Sequence, residues 1–404
     1  MRTPLMIFPA LLIALAPGVT NAITLAEARA LALKHNPELA TARLEMQALQ
    51  GAEAQAGARP NPELGILIED TRSATRTSTV QLSQAIELGG KRAARQAAAA
   101  QAREQAAVAL EAKQAEIRAA VATAFFELLA AQEQQRLAES SLALAQGAAN
   151  AAEKRLQAGK VAPLEPAKAR VAEAGARAEL AQARSDLLLA RGRLAALWGQ
   201  GPQTLTPAEG DATALPRLPD EQRVAEQSLD APALRLARLD ITRRQALTEG
   251  ERARRTPDLT VTVGAKRDAE LGRTQAVVGF SIPLTVHDRN QGALLEALRR
   301  EDQAREALTV ATLKLQGELA EAGSRLRLHH EQVQLLRDEA LPTAQTAYDA
   351  ALKGYELGKF AFLDVLDAQR TLFQLRRQLL QGSTEDHRAA ADLDRLLGRN
   401  TSEE

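Results

Sequence analysis

The chain has 404 residues, 51 Lys and Arg against 51 Asp and Glu, 45% hydrophobic residues but only 2% aromatic, and no cysteine. Without cysteine there is no disulfide framework, thiol catalysis or Cys-ligated zinc, and the balanced charge argues against a nucleic-acid binder that relies on a basic surface. The wealth of Ala, Leu, Glu, Gln and Arg is the composition of long helices rather than of a mixed enzyme domain.

In chain order, Met1-Arg2-Thr3-Pro4 precedes an apolar run from Leu5 to Ala16 and the small-residue end Thr20-Asn21-Ala22. A short positive start, an apolar core and a small-x-small end predict a secretory signal peptide over residues 1–22. The run is too short to cross ~30 Å of hydrocarbon, and a buried N-terminal helix is the competing reading. No later stretch is apolar enough for a membrane-spanning helix, so the protein is expected to be exported without one.

The remainder repeats itself. His35-Asn36-Pro37-Glu38-Leu39 matches Asp230-Ala231-Pro232-Ala233-Leu234, and Pro62-Glu63-Leu64 matches Pro257-Asp258-Leu259. Ile86-Glu87-Leu88 matches Ile282-Pro283-Leu284, Gly159-Lys160 matches Gly358-Lys359, and Leu197-Trp198-Gly199 matches Leu396-Leu397-Gly398. These anchors keep one order at a separation of about 195–199 residues, which predicts a tandem duplication. The first repeat is placed at 23–198, a Gly/Pro-rich linker at 199–220, the second repeat at 221–398 and a tail at 399–404.

Each half is predicted to run helix, β-hairpin, long helix, turn, return helix. The first helices fall at 24–56 and 221–254, the hairpins at about 62–88 and 258–284, and the helical hairpins at about 94–198 and 291–397. A helix of about 63 residues spans ~95 Å, so it must lie along other helices. Leu180, Ala183, Leu187, Ala190, Leu194 and Leu197 hold coiled-coil spacing on the first return helix, as do Val365, Ala368, Leu372, Leu375 and Leu379 on the second. Pro163 and Pro166 mark where the first return helix begins, and Pro342 is expected to kink the second long helix.

The strands alternate. Val80, Leu82, Ile86 and Leu88 oppose Gln81, Ser83 and Glu87, and Leu64, Ile66 and Ile68 form a less regular partner. Leu259, Val261, Val263 and Ala265 oppose Thr260, Thr262 and Gly264, while Ala276, Val278, Phe280, Ile282 and Leu284 share one face of the last strand. Alternation of this kind suits a small soluble sheet with one buried face. It also suits a membrane strand with lipid on one side and a lumen on the other. Export, two equivalent hairpins and the long helix after each favour the second. Four strands cannot close a barrel and open edges are forbidden in lipid, so closure needs several chains, and three would supply twelve strands. Phe280 is the single aromatic residue of these strands.

This order of elements, with the strand-to-helix exits Leu82-Ser83-Gln84-Ala85-Ile86-Glu87-Leu88-Gly89-Gly90-Lys91-Arg92 and Ser281-Ile282-Pro283-Leu284-Thr285-Val286-His287-Asp288-Arg289-Asn290-Gln291-Gly292, resembles the TolC-like outer-membrane efflux proteins. The segment from Ala351 through Gly354-Tyr355-Glu356-Leu357-Gly358-Lys359-Phe360 to Asp364-Val365-Leu366-Asp367-Ala368 is similar to that family's second tip turn. The phrasing of the exits lies nearest the branch that serves cobalt–zinc–cadmium export. The resemblance implies a mainly α chain with a small β part. It implies a homotrimer whose twelve-stranded outer-membrane barrel continues as a helical periplasmic tunnel. It further implies a periplasmic adaptor (membrane fusion protein) and an inner-membrane RND pump as partners.

The resemblance also assigns residues. Asp364 and Asp367 share one helix face and fall where the family's narrow entrance lies, so three chains would form a cation-favouring carboxylate ring. Two acids that favour a helix N-terminus are the competing reading. Glu165 and Tyr355 fit positions of the network that holds the entrance shut, but Lys168 stands opposite Asp367 and Phe360 stands where a basic residue is expected. Gly159, Lys160, Gly358 and Lys359 are turn residues first and candidate adaptor contacts second. His329-His330 are adjacent on a helix, and His35, His287 and His387 stand apart, so no metal-ligand spacing is present. With no nucleophile–base pair or phosphate loop either, no cofactor and no enzymatic activity are expected.

The leading expectation is an exit duct for divalent heavy-metal cations such as cobalt, zinc or cadmium. A duct for drugs or organic compounds competes within the same class. A soluble periplasmic coiled-coil adaptor would carry a single helical hairpin and no duplication, and a secreted filament would lack the alternating hairpins.

Overall fold

The computed structural model describes residues 22–201, 207–357 and 359–399. All of the expected signal peptide except Ala22 lies outside this range, as does Gly358. Nine helices and four strands follow in the order α1 (Leu25–His35), α2 (Pro37–Ala56), β1 (Glu63–Glu69), β2 (Thr77–Ile86), α3 (Lys91–Gln157), α4 (Leu164–Ala196), α5 (Glu221–Ser228), α6 (Pro232–Arg254), β3 (Leu259–Asp268), β4 (Arg273–Ser281), α7 (Gln291–Leu335), α8 (Leu341–Glu356) and α9 (Phe362–Leu397) among the described residues.

Three of the expected helices are interrupted. The first breaks at Asn36, whose side chain accepts from the backbone N–H groups of Glu38 at 2.8 Å and Leu39 at 3.1 Å and so caps α2 ahead of Pro37. The same amide donates to the Leu197 carbonyl at 2.8 Å, which ties the start of α2 to the end of α4. The helix expected over 221–254 breaks likewise before Pro232, between α5 and α6.

The second long helix is not simply bent at Pro342. A π-helical turn over Leu336–Ala340 separates α7 from α8, and Pro342 falls in the first turn of α8. Proline offers no N–H to the carbonyl four residues before it, so the irregularity appears upstream, over the residues whose bonding it disturbs. The last strand also ends earlier than expected, at Ser281, two residues before a proline that cannot donate to a ladder.

With 67 residues, α3 extends about 100 Å and is the spine against which α1, α2, α4, α6 and α9 pack. Leu180, Ala183, Leu187, Ala190 and Leu194 of α4 are buried and Leu197, just past its end, is half-buried; on α9 Val365, Leu372 and Leu379 are buried while Ala368 and Leu375 are half-buried. The main core gathers Phe125, Leu128, Leu39, Leu194 and Trp198, and a second one gathers Leu234, Leu315, Leu326 and Leu393. Each such side chain removed from water contributes roughly 1.5–3 kcal/mol.

A strap from the segment between the two halves binds these layers together. Gln132 of α3 grips Ala208 twice, donating to its carbonyl at 3.0 Å and accepting from its N–H at 2.8 Å. Ile23 bridges to the same residue, with its N–H 2.9 Å from the Pro207 carbonyl. Farther along, Ser383 and His387 of α9 approach the Ala214 carbonyl at 3.3 and 2.8 Å. The His387 ring stacks on Phe126, and burial pushes its pKa down to about 4, so it is a neutral packing group at physiological pH. Nearby, burial raises the carboxyl pKa of the fully enclosed Asp386, whose Oδ2 lies 3.2 Å from His330 Nδ1.

Candidate functional site

The four strands form one antiparallel sheet in the order β1-β2-β3-β4. The two hairpins are joined through β2 and β3, where Val80 faces Ala265 and Leu82 faces Val263. Because side chains alternate along a strand, this register sets Ile66, Val80, Ala265 and Ala276 in one row and Leu64, Leu82, Val263 and Val278 in the next, all on one face. Gln84, Val261 and Phe280 continue that face. The opposite face carries Gly65, Gln81, Gly264 and Val277 in one row, Leu67, Thr79, Lys266 and Gln275 in the next, and Ser83 hydrogen-bonded to Thr262 at 3.0 Å.

Exposure runs against the habit of a soluble sheet. Ile66 is 67% exposed, Val278 67% and Phe280 72%, while Thr79 on the hydroxyl-rich face is buried. Among the described residues no other part of the chain covers the apolar face, and both β1 and β4 leave one edge without a partner strand. A face this apolar is stable only against lipid or another protein, and an edge inside lipid must be closed by a neighbour.

The exits from the sheet are fastened to the end of α6. Gly89 and Gly90 adopt φ of 72° and 79°, and a Cβ on Gly89 would fall 2.8 Å from the Ala253 carbonyl, so only glycine permits the turn into α3. Lys91 Nζ pairs with Asp258 at 2.6 Å, and Asp258 also accepts from Leu88 N–H at 3.1 Å. The second exit uses Asn290 at φ 56°, its amide donating to the Glu251 carbonyl at 2.9 Å.

At the far end the helices form two tips. Gly159, at φ 67°, closes α3 by donating to the Leu156 carbonyl at 2.9 Å, and Lys160 N–H reaches the Arg155 carbonyl at 2.9 Å. Lys160 and Lys359 are both exposed on their turns. In the second tip Lys359 N–H donates to the Gly354 carbonyl at 2.8 Å, and the Phe360 ring lies against Gly354.

Asp364 accepts from the Ala361 N–H at 2.9 Å and thereby caps α9, while Asp367 follows one turn on, also exposed. Glu165 is half-buried in the first turn of α4. Among the described residues, no hydrogen bond or ion pair joins Glu165 to Asp364 or Asp367 within one chain. Tyr355 instead meets Arg155, which no sequence motif singles out. The Arg155 guanidinium lies 4.5 Å from its ring centroid and connects the last turn of α3 to the last turn of α8. The available signal was a basic residue in the final turn of a long helix, but its partner lies in the other half of the chain.

The outer membrane efflux protein family model matches residues 22–200 and 225–399. The chain belongs to the outer membrane efflux protein family. This membership gives it a transport role and not an enzymatic one. It is 44% identical to the cobalt-zinc-cadmium resistance protein CzcC of Cupriavidus metallidurans, over 93% of this chain and 90% of that protein. It is 28% identical to the nickel-cobalt-cadmium resistance protein NccC of Alcaligenes xylosoxydans xylosoxydans, over 69% of this chain and 64% of that one. Its fold is similar to the solved structure of CusC, with a TM-score of 0.78 at 22% identity over 93% of this chain and 92% of CusC.

Proposed function

We propose that this member of the family is the outer-membrane exit duct of a tripartite efflux assembly for divalent heavy-metal cations. Three copies of the four-stranded sheet supply the twelve strands of a closed barrel, β1 of one copy pairing with β4 of the next. The observation that carries the reading is the uncovered apolar face backed by a hydroxyl- and amide-bearing one, which is the polarity of a lipid-embedded barrel with a wet lumen. The helical body, about 100 Å long at α3, reaches into the periplasm. Its two tips dock on a periplasmic adaptor linked to an inner-membrane pump, with Gly159, Lys160, Gly358 and Lys359 at the contact. The metal cargo is supported by the resistance named for the relative that is 44% identical.

Growth of a deletion strain on zinc, cobalt and cadmium salts, with dyes and detergents alongside, tests the cargo. Sensitivity to one or more metals, reversed by the plasmid-borne gene, is expected. Sensitivity confined to organic compounds would keep the duct and discard the metal.

At the entrance, three copies of Asp364 and Asp367 place six carboxylates around one opening, with Glu165 and Tyr355 beside them. Such a ring concentrates cations. The double change Asp364→Asn and Asp367→Asn is expected to shift the reversal potential in planar bilayers toward non-selective conduction, with cation preference falling several-fold. Unchanged selectivity would leave Asp364 with its capping bond alone.

A further inference from the structure

The geometry points to a binding site for a phosphorylated lipid headgroup on the outer rim of the sheet, formed by Arg76 and Arg267 on its lipid side. This rests on the outer-membrane reading above, which orients the hairpin turns away from the periplasmic helices.

Ser78, Arg267 and Thr274 form the row just beyond Val80, Ala265 and Ala276, so Arg267 continues the apolar face by one step. Arg267 is exposed, and its Nη1 lies 3.5 Å from Thr274 Oγ1, its cross-strand neighbour on that same face. Beyond the pair Thr77–Asp268, the Ala269 N–H donates to the Arg76 carbonyl at 3.1 Å, which extends the β2–β3 ladder by one residue. Alternation then places Arg76 on the face of Ser78, diagonal to Arg267, a relation that separates side-chain origins by about 7–8 Å.

The rim carries Arg72, Arg76, Lys266, Arg267 and Arg273 against Glu69, Asp70, Asp268 and Glu270, and Glu69, Asp70 and Asp268 are held in place by their own turns or by Lys266. Asp70 is occupied by its own turn, accepting from Arg72 N–H at 3.0 Å and Thr75 Oγ1 at 2.5 Å. Asp268 accepts from the N–H groups of Glu270 and Leu271, both at 3.0 Å. On the lumen face Lys266 lies 3.7 Å from Glu69. Among the described residues neither Arg76 nor Arg267 enters an ion pair. Two arginines at diagonal register positions at the edge of an apolar band can take an anion between them, and their planar donors suit phosphate oxygens. An amphiphile meets both demands, its acyl chains on Ile66, Val80 and Ala265 and its phosphate between the arginines. A soluble anion meets only one.

The test uses the full-length protein reconstituted in vesicles of neutral phosphatidylcholine doped with diphosphoryl lipid A or with its dephosphorylated form. The wild type is expected to bind the diphosphoryl form selectively. The double variant Arg76→Gln, Arg267→Gln should bind it about 10-fold more weakly. Arg76→Lys with Arg267→Lys should retain most of the binding, and Arg273→Gln, on the lumen face of the same rim, should match the wild type. Equal binding of the two lipid A forms by the wild type would overturn the proposal without any variant. So would an unchanged affinity in the double Gln variant, or inorganic phosphate bound as tightly as the lipid. In all three cases the inserted barrel would stand. Failure of the wild type to insert at all would overturn the outer-membrane reading and this site with it.

Discussion

Replacing Val263 with arginine is expected to abolish the heat-resistant oligomer in outer-membrane fractions, whereas Gln275→Arg should leave it near the wild-type level. Val263 is mid-strand on the uncovered apolar face, between Leu82 and Val278, while Gln275 shares the opposite face with Thr79 and Lys266. An arginine presented to the hydrocarbon midplane costs about 2–4 kcal/mol. In a trimer the charge is introduced three times, so the total of roughly 6–12 kcal/mol rivals the whole stability of an ordinary domain. An arginine on the lumen side stays in water and carries little such cost. The two substitutions add the same side chain to opposite faces of adjoining strands, and Val277→Arg, one row from Val263 in depth but on the lumen face, separates the effect of face from that of depth. Equal oligomer levels would remove the barrel assignment, and loss in Gln275→Arg alone would invert it.

Phe125→Ala is expected to lower stability by about 3–5 kcal/mol, the range for truncating a buried phenylalanine. Phe125 is 2% exposed in the main core and meets Phe126 edge-to-face at 5.8 Å. Phe126 in turn stacks on His387, which holds the Ala214 carbonyl, and Gly210 of the strap lies against Leu129 and Phe125. The truncation therefore opens a cavity below the segment that binds the two halves together. Thermal unfolding of the detergent-solubilised protein by far-UV circular dichroism should show a lower midpoint. Limited proteolysis should cut faster within 207–219 than in the wild type. An unchanged midpoint would mean that this core contributes little to holding the helices together.

Much of the architecture was legible because its periodicities are long. The spacing of Leu180, Ala183, Leu187, Ala190 and Leu194 is a local property of one helix, and all five are buried. The interruptions were less legible. A proline in a sequence marks a missing donor at Pro342, but whether the backbone responds with a bend or with a π turn over Leu336–Ala340 depends on how α7 and α8 must pack against α9. The break at Asn36 was written in an Asn-Pro pair, yet its tie to Leu197 connects residues 161 positions apart.

The candidate entrance divides in the same way. Asp364 near a helix start already allowed a capping bond to be anticipated, since the acid and the free N–H lie within one turn. Tyr355 was singled out, but its contact with Arg155 crosses from the second half of the chain to the first.

What the sequence by itself determined was periodicity: the duplication, the seams, the two-residue alternation of the strands and the turn residues at the tips. Each of these depends on neighbours a few residues away, or on a repeat that needs no coordinates to be seen. What only the tertiary structure decided was which distant segments meet. It joined β2 to β3 so that four separate apolar stripes became one face, set Arg76 diagonal to Arg267, and drew the strap across α3 and α9. Pairing of this kind is settled by burying apolar area and satisfying backbone donors over the whole chain at once, a balance that no local window contains.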